Sequence, residues 1–466
     1  MTTFSSKIAS AALVVAFAAT TSSCHIYKKF DMPDQSAIGQ ELIQAAQLEQ
    51  DSTALGNLPW QEVFTDPVLA DLISQALENN KDLENARLNI EVAHANMLGA
   101  RLSYLPSLAL APSISSSTSI GGSKPNWSYQ IPLSASWEID IFGKILNNKR
   151  SAEAAHAQTK FYAQAVRSQI IGGVANCYYA ISALEAQLML QRSTAESWAR
   201  SVQTMRDMKE AGWTNEAAVV QSNAQYYSIL GSICDLETAV EEAHYTLSLL
   251  LNQMPQRWAI QPGLSLEMPE GFHSGVPMQA LAARPDILAS ERALAIAYYA
   301  TNSARAAFYP GLTITANGGW MDQIGNLVQN PKGWFYQLGA SLAAPLFARG
   351  QNIARLKAAK AQQQQALNNF EYAVMSAAAE VGNALTAYAN NTAKIEALTV
   401  QTEQMAQAVD ITETLFMNPA ADTQTTYLEV LTAQQNYLGV QMNLINSTLS
   451  RTQSIVNLYQ TLGGGR

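Results

Sequence analysis

The sequence predicts a mainly α-helical protein with a small β part, in which each half of the chain holds two β-strands and a long antiparallel helical hairpin. Three observations lead to this fold class. Four short segments alternate apolar and polar residues, two very long stretches lack proline, and the second half repeats motifs of the first. Each observation predicts a different element.

The repeat consists of residues that recur about 204 to 209 positions apart. The matched pairs are Asp82 and Asp286, Arg101 and Arg305, Pro106 and Pro310, and Gln225 and Gln434. Because the spacing drifts so little, we expect the same order of elements in both halves. The predicted domains are a first repeat over 61–254, a linker over 255–280 that is marked by prolines, and a second repeat over 281–466.

The N-terminus has the pattern of a secretory signal. Lys7 precedes the apolar run 8–19, which is too short for a mature membrane-spanning helix, and small residues lead to Cys24. We expect 1–23 to be removed as a signal peptide and Cys24 to carry lipid as the first mature residue of a segment 24–60. The alternative is ordinary signal cleavage beside an incidental cysteine.

Residues 127–140 form the clearest strand, because apolar and polar residues alternate there without a break. The predicted apolar faces of the four strands, in chain order, are Leu108, Leu110 and Ile114; Trp127, Tyr129, Ile131, Leu133, Ala135, Trp137 and Ile139; Leu312, Ile314, Ala316 and Trp320; and Trp334, Tyr336, Leu338, Ala340 and Leu342. Aromatic residues near the ends of such faces are typical of transmembrane strands. The alternative is the edge of a soluble β-sandwich.

Long helices follow each strand pair, since no proline occurs between Pro132 and Pro255 or between Pro345 and Pro419. A helix over 144–211 would be about 100 Å long. Apolar residues at steps of four and three predict a packing seam on the returning helix of each hairpin. The seams are Ile229, Ile233, Leu236, Val240, Ala243, Leu247, Leu250 and Met254, then Leu431, Leu438, Met442, Ile445, Leu449 and Val456. The hairpins should turn near 212 and near 419.

The first hairpin also carries two cysteines. Cys177 lies 35 residues before Gly212 and Cys234 lies 22 residues after it, so the two should differ in height by about 20 Å. A disulfide needs Cα atoms within about 7 Å. We predict two free thiols that are buried or lie in helix contacts.

Composition argues against several functions. The net charge of −9 with no basic patch argues against nucleic acid as a partner. The cysteines and the five histidines lack metal-ligand spacing, and no glycine run has the context of a phosphate loop. The histidines are His25, His94, His156, His244 and His273. We therefore expect no catalytic site, no bound metal and no cofactor.

Four strands impose an oligomer if they cross a membrane. They cannot close a barrel, and open strand edges cannot face lipid. Two copies would give an eight-stranded barrel, and side chains fill the interior of a barrel of that size. Three copies would give a twelve-stranded barrel that leaves a pore. The sequence thus predicts that each chain supplies one third of a trimeric twelve-stranded barrel, extended by a tube of helices. A structural trimeric coiled-coil protein is the alternative from another class, and it does not explain the strands.

Three motifs carry a family resemblance: Ala283-Arg284-Pro285-Asp286-Ile287, Phe308-Tyr309-Pro310, and residues 426–434, which read TYLEVLTAQ. With the repeat, they make the chain similar to the TolC-like outer membrane factor family, in particular its lipoprotein branch. The resemblance implies a homotrimeric channel in the bacterial outer membrane, with a periplasmic helical tunnel and an equatorial belt to which 24–60 and 255–280 contribute. It also implies a periplasmic adaptor and an inner-membrane pump of the resistance-nodulation-division type as partners.

The function that the resemblance implies is passive conduction of drugs and other toxic small molecules out of the periplasm. A duct for type I protein secretion or for metal-ion export is the alternative, although the methionines form no Met-x-Met cluster that would favour copper or silver.

The resemblance also implies a periplasmic aperture at four positions of the third motif, Leu428, Glu429, Thr432 and Gln435. Many relatives have an acidic residue where Thr432 stands and a basic residue where Gln435 stands, so this chain lacks that ion pair. Glu429 remains, either as a ring of three carboxylates that attracts cations or as a solvated helix residue. The Arg284-Pro285-Asp286 run is interpreted as a helix start rather than a site.

Overall fold

The computed structural model describes residues 27–33, 41, 58–117, 126–268, 281–323, 333–345, 347, 349–417 and 425–465. The chain divides into two compact units. The first comprises Met1–Gln40, Leu88–Phe161 and Leu288–Ala373, and the second comprises Glu41–Arg87, Tyr162–Ile287 and Val374–Arg466. No helix in the described ranges combines the length and the apolar character that crossing a membrane requires.

Helices make up most of the described chain, as predicted. In order they are α1 (Trp60–Val63), α2 (Pro67–Asn79), α3 (Lys81–Leu102), α4 (Lys144–Glu210), α5 (Glu216–Leu250), α6 (Pro285–Ala306), α7 (Gln351–Met417) and α8 (Tyr427–Thr461). Both α3 and α6 have 22 residues, both α4 and α7 have 67, and both α5 and α8 have 35. The two proline-free stretches hold α4, α5 and α7, because no residue there lacks the N–H that a helix interior needs.

Local signals set the helix ends. Pro67 occupies the first turn of α2, and the Asp66 carboxylate accepts hydrogen bonds from the backbone N–H groups of Val68 and Leu69 at 2.8 and 3.2 Å. The predicted turn near 212 is present: Gly212 has φ +78°, which costs glycine little, and the N–H of Trp213 donates to the carbonyl of Met208 at 2.8 Å. The turn predicted near 419 lies outside the described residues.

The strands form one antiparallel sheet in the first unit. They are β1 (Ser107–Leu110), β2 (Ser113–Ser117), β3 (Asn126–Ile139), β4 (Gly311–Gln323) and β5 (Trp334–Ala343). The order is β1-β3-β4-β5, and β2 also pairs with β3. The prediction of four strands was wrong by one, because the first predicted strand is divided at Pro112, which has no N–H to donate. Both pieces keep one register against β3, so they occupy a single position in the sheet.

The register joins the four predicted apolar faces into one surface. Ile131 lies opposite Trp320, which lies opposite Trp334, while Leu133 lies opposite Leu110. The other face carries mainly serine, threonine, glutamine and asparagine. Large apolar side chains on the first face are solvent-exposed, with Leu338 at 77% and Tyr336 at 88%. Among the residues that the structure describes, this apolar face is therefore exposed to solvent instead of being packed against a core.

The core of the second unit lies around Tyr178 and Tyr459, which are almost fully buried. The Tyr459 ring packs edge-on against Phe64 with ring centres 5.6 Å apart, and the Tyr178 hydroxyl donates to Asp66 at 2.9 Å. The segment between α1 and α2 thereby contacts both α4 and α8.

The Arg284-Pro285-Asp286 run starts α6, as predicted, and it also supplies an ion pair. The Arg284 side chain is only 7% exposed and binds Asp286 and Glu380 at 2.7 and 2.8 Å, and it donates to the carbonyl of Thr461 at 2.9 Å. Burial alone would raise the pKa of Asp286, but the hydrogen bonds from Arg284 outweigh it and hold that pKa below its usual value.

Two details of the first hairpin differ from expectation. Met254 does not extend the seam, since α5 ends at Leu250 and Met254 is 83% exposed. Cys177 and Cys234 are free thiols, as predicted, but only Cys177 lies in a helix contact, where its thiol donates to the carbonyl of Ala243 at 3.3 Å. Burial raises the pKa of Cys177 to about 11, whereas Cys234 is exposed.

Candidate functional site

The four predicted aperture residues lie in the first turns of α8. Leu428, Glu429, Thr432 and Gln435 are all solvent-exposed, and their spacing places them on one side of the helix. The four residues thus share an exposed surface of α8, and their role as an aperture stays a prediction. The opposite side of the same turns is apolar and buried.

Glu429 has a structural role at the start of α8. Thr426 is the N-cap residue, with φ −96° and ψ 156°, and Glu429 occupies the third helical position of a capping box. The backbone N–H of Thr426 donates to the Glu429 carboxylate at 2.7 Å. This bond satisfies an amide that no helical carbonyl reaches. The Glu429 carboxylate therefore caps the first turn of α8 and is also exposed to solvent.

A hydrophobic cluster holds the first turns of α8 against α4 and α5. Tyr427, Val430 and Leu431 are each at most 8% exposed. Their buried partners in the cluster are Ala195, Trp198, Met205, Val219 and Ile229. The Tyr427 ring also contacts Phe416 of α7, with ring centres 5.6 Å apart. Burying three such side chains stabilises the contact by several kcal/mol, at about 25 cal/mol per Å².

Two hydrogen bonds between α8 and α5 use only uncharged groups. The hydroxyls of Ser222 and Tyr427 are hydrogen-bonded at 2.8 Å in a buried setting, and the Gln435 side-chain amide donates to the Gln225 carbonyl oxygen at 2.7 Å. We call these two contacts the neutral latch. Burial raises the pKa of Tyr427, so its hydroxyl stays protonated at any physiological pH.

Thr432 and Gln435, the two positions at which the resemblance implied a possible ion pair, make different kinds of contact. The Thr432 hydroxyl donates to the carbonyl of Leu428 within its own helix at 2.7 Å, and Gln435 belongs to the neutral latch. Sequence reasoning missed Ser222 and Tyr427 as polar contacts. It matched Gln225 with Gln434 in the repeat, but the residue that contacts Gln225 is Gln435.

A groove of about 500 Å³ lies beside the latch and is lined by α4, α7 and α8. Its polar wall includes Arg200, Asp410 and Glu413, and its apolar wall includes Met417 and Tyr427. The Gln434 side-chain amide donates to Glu413 at 2.6 Å, which ties α8 to α7 as well as to α5.

Cys24 lies outside the described residues, which begin three positions later at Tyr27. The backbone carbonyl of Tyr27 accepts a hydrogen bond from Arg150 at 2.9 Å, and the Tyr27 hydroxyl donates to the carbonyl of Ile141. The N–H of Phe30 donates to the Tyr299 hydroxyl at 3.1 Å. Tyr27 is therefore held two residues from the end of β3.

Comparisons with known proteins agree with this architecture. The family model described as "Outer membrane efflux protein" matches residues 72–253 and 276–464. The chain is 27% identical to the probable outer membrane lipoprotein SilC of Salmonella typhimurium, over 87% of this chain and 88% of the relative. It is 27% identical to the cation efflux system protein CusC of Escherichia coli K12, over 93% of both chains. It is 28% identical to the pyoverdine export outer membrane protein OpmQ of Pseudomonas aeruginosa, over 87% of both.

Solved structures show the same fold. A crystal structure of CusC, at 25% identity, gives a TM-score of 0.80 and covers 94% of this chain and 98% of that one. The outer-membrane channel OprN, at 24% identity, gives a TM-score of 0.83 over 95% of this chain and 99% of that one. With the family model matched over most of the chain, the protein belongs to the outer membrane efflux protein family and is an outer-membrane channel subunit of an efflux system.

Proposed function

We propose that three copies of this chain form one closed duct, with a twelve-stranded barrel in the outer membrane and a helical tunnel in the periplasm. The observation that carries the proposal is the sheet, which has an exposed apolar face and two strand positions at its edges, β1/β2 and β5. In lipid every backbone N–H and C=O needs a partner, so these edges must pair with other copies. Three sheets of four positions give the twelve strands.

The apolar face has the height that an outer membrane requires. Trp127 and Trp137 stand near the two ends of β3. Ten residues span about 33 Å along a strand. With the tilt of about 40° that barrels have, this distance becomes about 25 Å of vertical height, which equals the apolar band of known outer-membrane barrels. The serine-rich face would then line the lumen.

The two halves of the chain serve as structural repeats in this proposal. The equal lengths of α3 and α6, of α4 and α7, and of α5 and α8 support it. The proposed boundaries remain 61–254 and 281–466, with 24–60 and 255–280 as equatorial segments. Leu428, Glu429, Thr432 and Gln435 would face the narrow periplasmic end of the tunnel, and the neutral latch would hold that end closed.

Lipid on Cys24 fits the placement of Tyr27. Three residues of chain reach at most about 10 Å. Because Tyr27 is bound to the carbonyl of Ile141, just past the end of β3, acyl chains on Cys24 would start near one end of the apolar band. That band end would be the periplasmic surface of the outer membrane, where a secreted lipoprotein anchors.

The duct conducts passively in this proposal, and a periplasmic adaptor with a resistance-nodulation-division pump would supply energy and select small toxic molecules. A second candidate cargo is metal ions, because CusC is named a cation efflux protein, whereas OpmQ is named a pyoverdine exporter. Trp213, which is 67% exposed at the tip of the first hairpin, is a candidate adaptor contact.

The first test measures the mass of the detergent-extracted protein by light scattering, corrected for detergent, together with bilayer conductance. We expect about three times the mass of one chain, which is 50.5 kDa before processing, and stable ion-conducting pores. A monomeric, non-conducting particle would overturn the trimeric duct. Drug and copper susceptibility of a deletion strain, with and without the gene restored, would separate the two cargo classes.

A further inference from the structure

Two histidines that are far apart in sequence meet in the first unit. His94 of α3 and His156 of α4 have ring centres 5.5 Å apart, with an angle of 63° between the ring planes. His94 is exposed and His156 is half-buried. Sequence spacing gave no reason to pair them, since 62 residues separate the two positions.

We propose that His94 and His156 bind one divalent transition-metal ion, with Cu²⁺ held most tightly. Neutral imidazole is a good ligand for copper, zinc and nickel. Among the divalent ions of the first transition row, such sites bind Cu²⁺ most tightly. This site is independent of the proposed duct and of its cargo.

The distance between the rings supports a shared ion. A metal bonded about 2.1 Å from a ring nitrogen lies about 3.2 Å from the centre of that imidazole. Two rings that share the ion therefore have centres about 4.5 Å apart at a right angle and about 6.4 Å apart in a line. With one nitrogen of each ring directed at a shared ion, the observed separation of 5.5 Å would give a nitrogen–metal–nitrogen angle near 120°. Since His94 is exposed, its ring can rotate about χ2 to direct a nitrogen at the ion.

Positive charges lie close to His156. Burial, followed by the charges of Lys160, His94 and Arg101, lowers the pKa of His156. Arg101 is itself paired with Glu153 at 3.2 Å, which limits its repulsion of a cation. Within the described ranges no three histidine, cysteine or acidic side chains form a metal-binding group, so water must complete the coordination.

The competing explanation is an edge-to-face ring contact with no ligand. Such contacts contribute about 0.5–1.5 kcal/mol and need only an aromatic ring. His94→Phe separates the two explanations, because it keeps the ring and removes the nitrogen ligands. Lys160→Gln is the second matched variant, because it removes a neighbouring positive charge and leaves both imidazoles in place.

The test uses the full-length protein in detergent, in whichever oligomeric state it is purified, without a polyhistidine tag. All variants also carry Cys234→Ser, which removes the exposed thiol. Cu²⁺ and, separately, Zn²⁺ are titrated by calorimetry, and electron paramagnetic resonance reports nitrogen ligands on Cu²⁺. We expect about one Cu²⁺ per chain, weaker Zn²⁺ binding, and a metal-dependent rise in the unfolding midpoint because the ion links α3 to α4.

His94→Phe and His156→Ala should each weaken Cu²⁺ binding on the order of tenfold or more and abolish the midpoint rise, while Lys160→Gln should bind as tightly as the parent or more tightly. Unchanged Cu²⁺ affinity and unchanged nitrogen signals in His94→Phe would overturn the site, as would the absence of binding in the parent protein.

Discussion

The side-chain amide of Gln435 donates a 2.7 Å hydrogen bond to the side-chain oxygen of Gln225, across 210 residues of sequence. Because the neutral latch contains no ion pair, salt should not weaken it. We expect the closed fraction of the channel to be the same in 0.1 M and 1 M KCl. A charged version, Thr432→Asp with Gln435→Arg, should open more readily at high salt. Single-channel recordings measure both, and a salt-dependent parent channel would contradict the neutral latch.

Removing the latch should favour the open state. An exposed hydrogen bond contributes about 1 kcal/mol, so Gln435→Ala should raise the open-to-closed ratio about fivefold. Tyr427→Phe should have a similar or larger effect, because it leaves the buried Ser222 hydroxyl without this partner. Gln364→Ala, which removes an exposed contact within α7, is the matched control and should leave the ratio unchanged. Single-channel recordings measure this ratio, and the same open-to-closed ratio in all three variants would exclude a gating role.

Glu429 combines a capping bond with a negative charge, and two substitutions separate these contributions. Glu429→Gln keeps an acceptor for the Thr426 N–H and removes the charge, since glutamine also serves in capping boxes. We expect lower cation preference with unchanged thermal stability. Glu429→Ala should lower cation preference equally and also destabilise the start of α8 by about 1 kcal/mol. Reversal potentials across a KCl gradient report the charge, and an unaltered reversal potential in Glu429→Gln would remove this residue from the aperture.

The free edge of β5 can be blocked without disturbing its pairing with β4. The N–H of Met321 donates to the carbonyl of Gly333 at 2.9 Å, so these residues form a hydrogen-bonded pair. Successive residues of an antiparallel strand direct their N–H groups to opposite sides of the strand. Leu338 lies five residues after Gly333, so its N–H points away from β4. Leu338→Pro removes that outward donor and should reduce trimer yield severalfold, whereas Leu338→Ala keeps the N–H and should assemble. Light scattering of both variants measures this, and full assembly of the proline variant would argue against β5 as a subunit contact.

His244 should make the segment after α5 sensitive to acid. The N–H of Trp258 donates to Nδ1 of His244 at 3.2 Å, so that nitrogen carries no proton. Burial lowers the pKa of His244 and outweighs Glu185, whose negative charge at 3.8 Å acts to raise it. Glu241 and Arg257 are also close to His244. The pKa of His244 in the folded protein is thus below its unfolded value of about 6.5. At a pH between these two pKa values, the unfolded chain binds more protons than the folded chain.

Stability from His244 is therefore fully present above about pH 6.5 and is lost as the pH falls toward the folded pKa. The protection factor of the Trp258 amide against hydrogen exchange, corrected for the pH dependence of intrinsic exchange, should fall in that window. His244→Gln, which offers an acceptor that does not titrate, should show a flatter pH dependence. Identical pH profiles for parent and variant would show that another group is responsible.

The sequence by itself determined the features that depend on neighbours along the chain. Alternation over 127–140 placed the apolar face of β3, the absence of proline predicted α4, α5 and α7, and Gly212 marked a turn, because side-chain period and backbone freedom are local properties. Pro112 shows the limit of that reading. Its missing N–H divided a predicted strand into β1 and β2 without moving the register.

Only the tertiary structure decided which side chains meet. Ser222 with Tyr427, Gln225 with Gln435, and His94 with His156 lie on different helices, and each contact depends on the rotation and stagger of one helix against another. A rotation of one residue turns a helical side chain by about 100°, so a pattern along the chain predicts which face is apolar but does not predict its polar contacts. The arrangement of the helices determined the neutral latch and the histidine pair.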